Sequence, residues 1–337
     1  MSRLGHGQLR VSNRQQSNDG SKMKRNALRR SIHVVAAAIG LCGIESAGCS
    51  HTAVTEPLQS ARQTRRGIIL WTAGATLRKA ALSPLYRIYE RRLLQQIASR
   101  PLPRHIGIIL DGNRRYGRQH NLTDPREIYA LGAEKLDELL TWCVGLFIPA
   151  VTLWVFSTDN FNRRPDEVSG ILGAVETKLT QLAHDPRIHS RKVRVRAMGR
   201  LELLPQSTLA AVRAAEAATE NYADIRLTIA AAYGGRQEIT DAVKAFLCDQ
   251  ERRGKLLNEA IELVTPEAIG RYLYAPDLPD PDLIIRTSGE IRLSGFLLWQ
   301  SAYSEFYFTD VFWPAFRKID FLRAVRSFQQ RTRRYGR

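Results

Sequence analysis

Cysteine is scarce in this chain of 337 residues, and its four copies, Cys42, Cys49, Cys143 and Cys248, are scattered. No two form a Cys-x-x-Cys pair and none lies beside a histidine cluster. That pattern argues against a zinc framework or a disulfide scaffold and favours a reducing compartment. Acidic residues are also in deficit, 33 against 50 Lys and Arg. Long apolar runs are missing: residues 34–44 form a candidate that is too short to span a bilayer. No G-x-x-x-x-G-K-[ST] is present, which excludes a P-loop nucleotidase, and no G-x-G-x-x-G follows the first strand to hold a dinucleotide. There is no G-x-S-x-G elbow, no His-x-x-x-His pair and no Asp-Asp-x-x-Asp cluster that could gather several magnesium ions. Internal repeats and low-complexity tracts are absent too.

What is present has the composition of a globular protein with a real core, 44% hydrophobic and 25% charged. The net charge of +17 is unevenly spread: residues 1–80 hold 13 Lys and Arg against 3 Asp and Glu. Such a balance suits nucleic acid, an anionic membrane surface or a phosphorylated small molecule. Residues 1–33 are polar and basic and read as disordered. The apolar run 34–44 follows Arg29 and Arg30 and ends near Ser46-Ala47-Gly48-Cys49, an arrangement like that of a signal peptide. A translation start placed too far upstream explains it equally well. Residues 1–76 are expected to be a leader and 77–337 a single domain.

From Leu82 the character changes. Leu85, Ile88, Tyr89, Leu93 and Ile97 trace one stripe of an amphipathic helix, expected to pack on the domain that follows or to lie on a membrane or substrate. Short apolar, β-branched runs follow at 106–110, 148–156, 193–198, 225–231, 283–285 and 306–308. Helical patterns separate them at 126–146, 165–183, 205–221, 237–254 and 266–273, and another closes the chain at 318–334. This alternation predicts an α/β fold with one mostly parallel sheet of about six strands, flanked by helices.

In such sheets ligands bind beyond the carboxyl ends of the strands. The first strand runs into Asp111-Gly112-Asn113-Arg114-Arg115-Tyr116. The second ends in Ser157-Thr158-Asp159-Asn160-Phe161-Asn162-Arg163, the fourth in Tyr233-Gly234-Gly235-Arg236, and the fifth in Arg286-Thr287-Ser288-Gly289-Glu290-Ile291-Arg292-Leu293-Ser294. Asp offers a hard oxygen to magnesium, Gly lets backbone approach an anion, and Arg clamps phosphate oxygens. Four strand ends carrying these groups point to a diphosphate pocket.

Five stretches resemble the cis-prenyltransferase family, the undecaprenyl diphosphate synthases, across about residues 82–337. They are His-Ile-Gly-Ile-Ile-Leu-Asp-Gly-Asn-Arg-Arg, Phe-Ser-Thr-Asp-Asn-Phe-Asn-Arg, Ala-Tyr-Gly-Gly-Arg, the run from Asp282 to Gln300, and Tyr-Ser-Glu-Phe-Tyr-Phe-Thr-Asp. Within the family the chain is most similar to short-chain actinobacterial Z-isoprenyl, or Z-farnesyl, diphosphate synthases. The resemblance implies a Mg2+-dependent cis-condensation of isopentenyl diphosphate with an allylic diphosphate, geranyl or farnesyl, releasing diphosphate. It implies that Asp111 holds magnesium and assists departure of pyrophosphate, with Glu305 as a second carboxylate in the metal region. Gly112, Asn113, Arg114 and Arg115 match the cradle of the allylic diphosphate, with Tyr116 as an aromatic wall. Arg163, Arg286, Arg292 and Ser294 match the isopentenyl diphosphate site, beside Leu293 and Thr158. Asn160, next to Ser157, occupies the position that receives or relays the proton.

The chain also departs from the family pattern. Phe161 and Tyr116 stand where many members carry Trp, Asp159 replaces a Glu, and Tyr129 replaces a His of the long-chain enzymes. In the family a tunnel between the sheet and two helices takes the growing chain; Val155, on its wall, is intermediate between the Ala of long-chain enzymes and the Leu of farnesyl-making ones. The resemblance further implies a homodimer, with Arg334-Tyr335-Gly336 reaching the neighbouring site and residues 308–316 at the interface. It places the protein in the cytoplasm, at or near the inner face of the membrane, as an enzyme of cell-wall lipid-carrier synthesis that binds no nucleic acid. A catalytically silent partner subunit and a basic nucleic-acid-binding protein are the rival classes. The first would lack Asp111, and the second would need a continuous Lys/Arg face, whereas the excess charge lies mostly in the leader.

Overall fold

A computed structural model describes residues 84–331. The leader, the domain start at 77 and the Arg334-Tyr335-Gly336 tail lie outside the described residues. The chain divides into two compact units at Arg91 and Arg92. Of the first, the described residues 84–91 are the opening turns of helix α1 (84–98), on which Leu85 and Ile88 are exposed. The predicted stripe is therefore buried only in its second half, where Leu93 and Ile97 enter the core. In the second unit, the Gln329 amide donates to the carbonyls of Ile97, Arg100 and Pro101 and ties this segment to the last helix.

The sheet in this unit has six strands, β1 (His105–Ile109), β2 (Ala150–Trp154), β3 (Val193–Met198), β4 (Ile225–Ala230), β5 (Leu283–Arg286) and β6 (Glu305–Phe308). Their order is β3-β4-β2-β1-β5-β6 and every pairing is parallel. All five residues of β1 are buried, as its unbroken apolar run requires of a strand covered on both faces. His105 opens it as a structural pin. Its ring bonds the Pro279 carbonyl and the Thr152 hydroxyl, and burial pushes its pKa down to about 4.

Ten helices accompany the sheet among the described residues. After α1 come α2 (Asn113–Gln119), α3 (Pro125–Gly145), α4 (Pro165–His184), α5 (Pro186–Ser190) and α6 (Gln206–Thr219). The others are α7 (Gly235–Arg252), α8 (Leu257–Glu262), α9 (Pro266–Gly270) and α10 (Lys318–Gln330). Proline at the first position starts both α3 and α4, where a missing N–H costs nothing. Asp124 caps α3 by accepting from the Arg126 N–H at 2.8 Å.

The two sheet faces have different partners, set by the period-2 alternation of strand side chains. Leu153, Val155 and Ile229 face α3 and α4 across a cavity. Ile109, Ala230 and Ile284 join Tyr233, Phe296 and Leu297 in a close-packed cluster, against which Trp154 is packed. Connections leave β1 towards β2 and leave β5 towards β6, in opposite directions. A crevice therefore opens at the carboxyl ends between these neighbours, the place where open α/β sheets bind ligands.

Candidate active site

The crevice is built around an ion pair. Asp111 follows β1 and Arg286 ends β5, and the Arg286 Nη2 donates to Asp111 Oδ2 at 2.8 Å. The backbone joins the same contact: the Asp111 N–H donates to the Thr287 hydroxyl, which donates to the Asp111 carbonyl at 2.7 Å. Arg286 is only 5% exposed. Its other nitrogen donates to the Ser294 hydroxyl at 2.8 Å and to the Arg292 carbonyl. Burial by itself would raise the Asp111 carboxyl. The hydrogen bond and charge of Arg286, with Ser288 and the Gly112 N–H, outweigh it and hold the group below the usual carboxylate range.

Gly112 is required where it stands. Its φ is +101°, and a Cβ there would lie 2.7 Å from the Phe312 ring and 2.9 Å from Ser288. The turn starts α2, whose Arg115 donates to Ser288 at 2.6 Å and Glu290 at 3.0 Å, over the Phe312 ring. Ser288 and Ser294 both have positive φ, an uncommon conformation for these residues of the kind that collects at functional sites.

A second cluster faces the first from α3 and α4. Glu167, buried, accepts from Arg163 at 2.6 Å and from the Tyr129 hydroxyl at 3.0 Å, and pairs with Arg114 at 3.4 Å. Burial and then the Glu167 charge push the Tyr129 phenol up, so it stays a neutral donor. Between the clusters lies a polar cavity of about 500 Å3. Six arginines line it, Arg114, Arg115, Arg118, Arg163, Arg286 and Arg292, against two carboxylates, Asp111 and Glu290. Such a surplus of fixed cations calls for an anionic ligand. Two buried atoms on its wall, Asn113 Oδ1 and Arg286 Nε, have no hydrogen-bond partner within the described protein.

The polar cavity adjoins an apolar tunnel, and both are bordered by Leu110, Asn113, Tyr129, Val155 and Ile171. The tunnel runs between the sheet residues Leu153, Val155 and Ile229 and the helices α3 and α4. Gly132 on α3 has no room for a side chain, since a Cβ would meet Asn113 Oδ1 at 2.5 Å. Trp313 closes the wall there by donating to the Gly132 carbonyl at 2.7 Å.

Of the residues singled out in the sequence, Asp111, Gly112, Asn113, Arg114, Arg115, Tyr129, Ser157, Asn160, Arg163, Arg286, Arg292 and Ser294 share the polar cavity. The Asn160 Oδ1 accepts from the Ser157 N–H at 3.1 Å. Tyr116, Thr158, Asp159, Phe161 and Leu293 do not line it. Tyr116 stacks on His120, Phe161 packs edge-on against Phe156, and Leu293 packs against the Phe296 cluster. Glu305 requires a correction. It opens β6 opposite Leu283, at the amino end of the sheet, and is held there by Arg331 at 2.6 Å. In a parallel sheet that edge is opposite to the one carrying Asp111, so the two carboxylates of one chain share no ion. Trp313 and Phe316, expected at a dimer interface, are buried inside the fold.

Glu167 and Arg118 are neighbours of this site that the sequence reading did not single out, and Glu290, quoted there within the strand-five stretch, was given no role. Glu167 had a signal, since it lies four residues beyond Arg163 across a helix start, where an i,i+4 ion pair forms. Arg118 repeats Arg114 one turn on in α2. Glu290 gave no such sign.

A cation-lined pocket at parallel strand ends that adjoins an apolar tunnel is the layout of a ligand-binding enzyme of the open α/β class. Residues 109–336 match the undecaprenyl diphosphate synthase family model. The chain belongs to that family and is a prenyltransferase. It is 50% identical over 253 residues, covering 75% of the chain, to a (2Z,6E)-farnesyl diphosphate synthase of Thermobifida fusca, 97% of which is spanned. It is also 50% identical over 259 residues, 77% of the chain, to a geranylgeranyl-diphosphate-specific tritrans,polycis-undecaprenyl-diphosphate synthase of Methanopyrus kandleri, 94% of which is spanned. Among solved structures it resembles lavandulyl diphosphate synthase from Lavandula x intermedia in complex with dimethylallyl diphosphate, with a TM-score of 0.64 and 28% identity. That match covers 70% of this chain and 99% of the other.

Proposed function

We propose that this prenyltransferase condenses isopentenyl diphosphate with an allylic diphosphate, geranyl or farnesyl, to give a Z-polyprenyl diphosphate. The observation that carries the reading is the junction of the six-arginine cavity with the apolar tunnel at Asn113 and Tyr129. It suits a substrate with an anionic head and a hydrocarbon tail. Two heads fit the two groups of arginines, Arg115, Arg286 and Arg292 around Asp111 and Glu290, and Arg114 and Arg163 around Glu167.

The reaction breaks the allylic carbon–oxygen bond, and its electron pair leaves with pyrophosphate. The double bond of isopentenyl diphosphate supplies the electrons for the new carbon–carbon bond, and a proton leaves the joined chain to restore a double bond. Charge that develops on the leaving group meets Arg115, Arg286 and the backbone N–H groups at the start of α2, already oriented and costing no reorganisation. The cationic allylic fragment lies toward the apolar wall of Leu110, Val155 and Ile171, which excludes water. Asn160 and Ser157 are the groups assigned to the proton.

Magnesium fits this donor set. No group of three or more His, Cys, Asp or Glu that could hold a metal occurs among the described residues, and the carboxylates lining the cavity are Asp111 and Glu290. Mg2+ is commonly held by one or two carboxylates together with substrate phosphates, so Asp111 would hold it. When bound, the ion neutralises charge on the departing pyrophosphate.

We assign catalysis to residues 77–337 and a homodimer to the native state, its contact built on the open edge of β6 with Tyr303 exposed nearby. No described helix is long and apolar enough to cross a membrane. Peripheral attachment at the inner face of the membrane, and a place in lipid-carrier synthesis, agree with a product that partitions into lipid. The test is incubation of the purified protein with Mg2+, isopentenyl diphosphate and geranyl or farnesyl diphosphate, with products resolved by length. A Z-prenyl product is expected; absence of product with every allylic primer would overturn the reading.

A further inference from the structure

Five of the six arginines at the polar cavity are already engaged by carboxylates. Arg286 pairs with Asp111, Arg115 with Asp111 and Glu290, and Arg292 with Glu290. Arg114 and Arg163 share Glu167. Arg118 lines the cavity as well and is exposed, yet among the described residues no carboxylate pairs with its side chain. Of these six cations, Arg118 is the one that meets an anion without first giving up an ion pair.

Its place on the helix gives the charge a direction. Arg118 stands in the last turn of α2, four residues after Arg114. The two therefore share one helix face, with Arg118 about 6 Å farther along the axis from the Gly112 turn. Like charges at that spacing repel, so the arrangement costs the helix stability. A cation in a last turn does complement the helix dipole. The dipole asks only for a cation in that turn, not for one that lines the cavity beside Arg114 and Arg115.

We propose that Arg118 captures diphosphate head groups as they arrive from solvent, before they pass to the five paired arginines. The inference rests on the reading that the cavity takes diphosphates. An exposed, unpaired charge acts over roughly a Debye length, about 8 Å at physiological salt, and raises the encounter rate of an anion. The field of each paired arginine is partly cancelled at that range by its carboxylate. Those arginines must also exchange a carboxylate oxygen for a phosphate oxygen as the ligand settles, whereas Arg118 exchanges only water. Arg118 is thus a residue of the encounter, and the reacting atoms are left to Asp111, Arg115 and Arg286.

The test follows association of geranyl thiolodiphosphate, an unreactive allylic probe, and of inorganic pyrophosphate by stopped-flow tryptophan fluorescence; Trp154 lines the cavity. At low salt, Arg118→Gln is expected to slow association of both probes about fivefold and Arg118→Glu about twentyfold. Arg118→Lys keeps the charge and should stay within about twofold of the unaltered protein. The differences should shrink to about twofold or less at 0.5 M salt, where the Debye length is about 4 Å. Association unchanged in both the Gln and Glu variants overturns the proposal, as does a Lys variant as slow as Gln or a loss that salt does not diminish. Loss of thermal stability in the Gln variant with unchanged association would assign Arg118 to the helix dipole and equally overturn it. In turnover the loss should fall on kcat/KM, and a loss confined to kcat would count against capture. Slowed association in the charge variants, with no product from any form, would uphold capture while the condensation reading falls.

Discussion

The polar cavity and the tunnel share a wall at Asn113 and Tyr129, yet they are built by opposite means. The cavity is assembled from strand ends, by ion pairs that hold Asp111, Arg286, Arg115 and Glu290 in fixed relation. The tunnel is a gap between layers, where apolar side chains of β2, β4, α3 and α4 are spaced rather than bonded. Changes in the first region should therefore act on rate and diphosphate affinity. Changes in the second should act on tail length, because beyond the shared Asn113 and Tyr129 its lining is apolar except for Lys178.

The largest effect is expected from Asp111→Ala, which removes both the ligand assigned to magnesium and the partner of Arg286. Turnover should fall at least about 1000-fold with product length unchanged in the residual activity. Steady-state kinetics with product chromatography would check this, and undiminished turnover would sink the assigned mechanism. Arg286→Lys comes next. Lysine cannot reach Asp111, Ser294 and the Arg292 carbonyl together, so kcat/KM should drop about 100-fold. A loss under fivefold would mean that the buried guanidinium serves the fold and not the site.

Glu167→Gln keeps the shape but removes the charge that gathers Arg163, Arg114 and Tyr129. KM for the diphosphates should rise about tenfold with a smaller change in kcat. If kcat fell and KM held, the cluster would belong to the transition state. On the tunnel side, Val155→Leu adds bulk to the shared wall. It should shorten the product by about one isoprene unit while kcat/KM for the first condensation changes about threefold or less. A large rate loss would dissolve the distinction between the regions.

The smallest effect concerns pH. The Asp111 pKa is lowered in the folded protein, so its stabilising contribution is fully present above the ordinary carboxylate value of about 3.9. It is lost as pH falls through the lowered folded value. Urea-unfolding free energies of the intact protein and Asp111→Asn should therefore differ by a constant amount across about pH 5 to 8 and converge in acid. Divergence with falling pH would reverse the sign.

Much of this was legible beforehand because short, unbroken apolar runs such as 106–110 have few ways to be buried except between two helical layers. Once strand ends were identified, Asp111, Asn160, Arg163 and Arg286 followed as neighbours, although up to 175 residues separate Asp111 from Arg286. The same logic would have placed Glu305 correctly. It precedes the run Phe306 to Phe308, and in a parallel sheet a residue that opens a strand lies at the end opposite the ligands. Its chemistry suggested a metal, and its position along the strand forbade Asp111 as a partner in the same chain.

By itself the sequence determined the layered parallel fold and pointed to the strand ends as the candidate site, because both follow from local pattern and strand direction. Tertiary structure alone decided how Glu167 draws three side chains together, which aromatics turn away from the cavity, and which side chains of α3 and α4 meet beside the tunnel. Those features depend on distances between helices that no local pattern encodes: Lys178 and Asp137 are 41 residues apart and meet only because α3 and α4 pack side by side over the sheet.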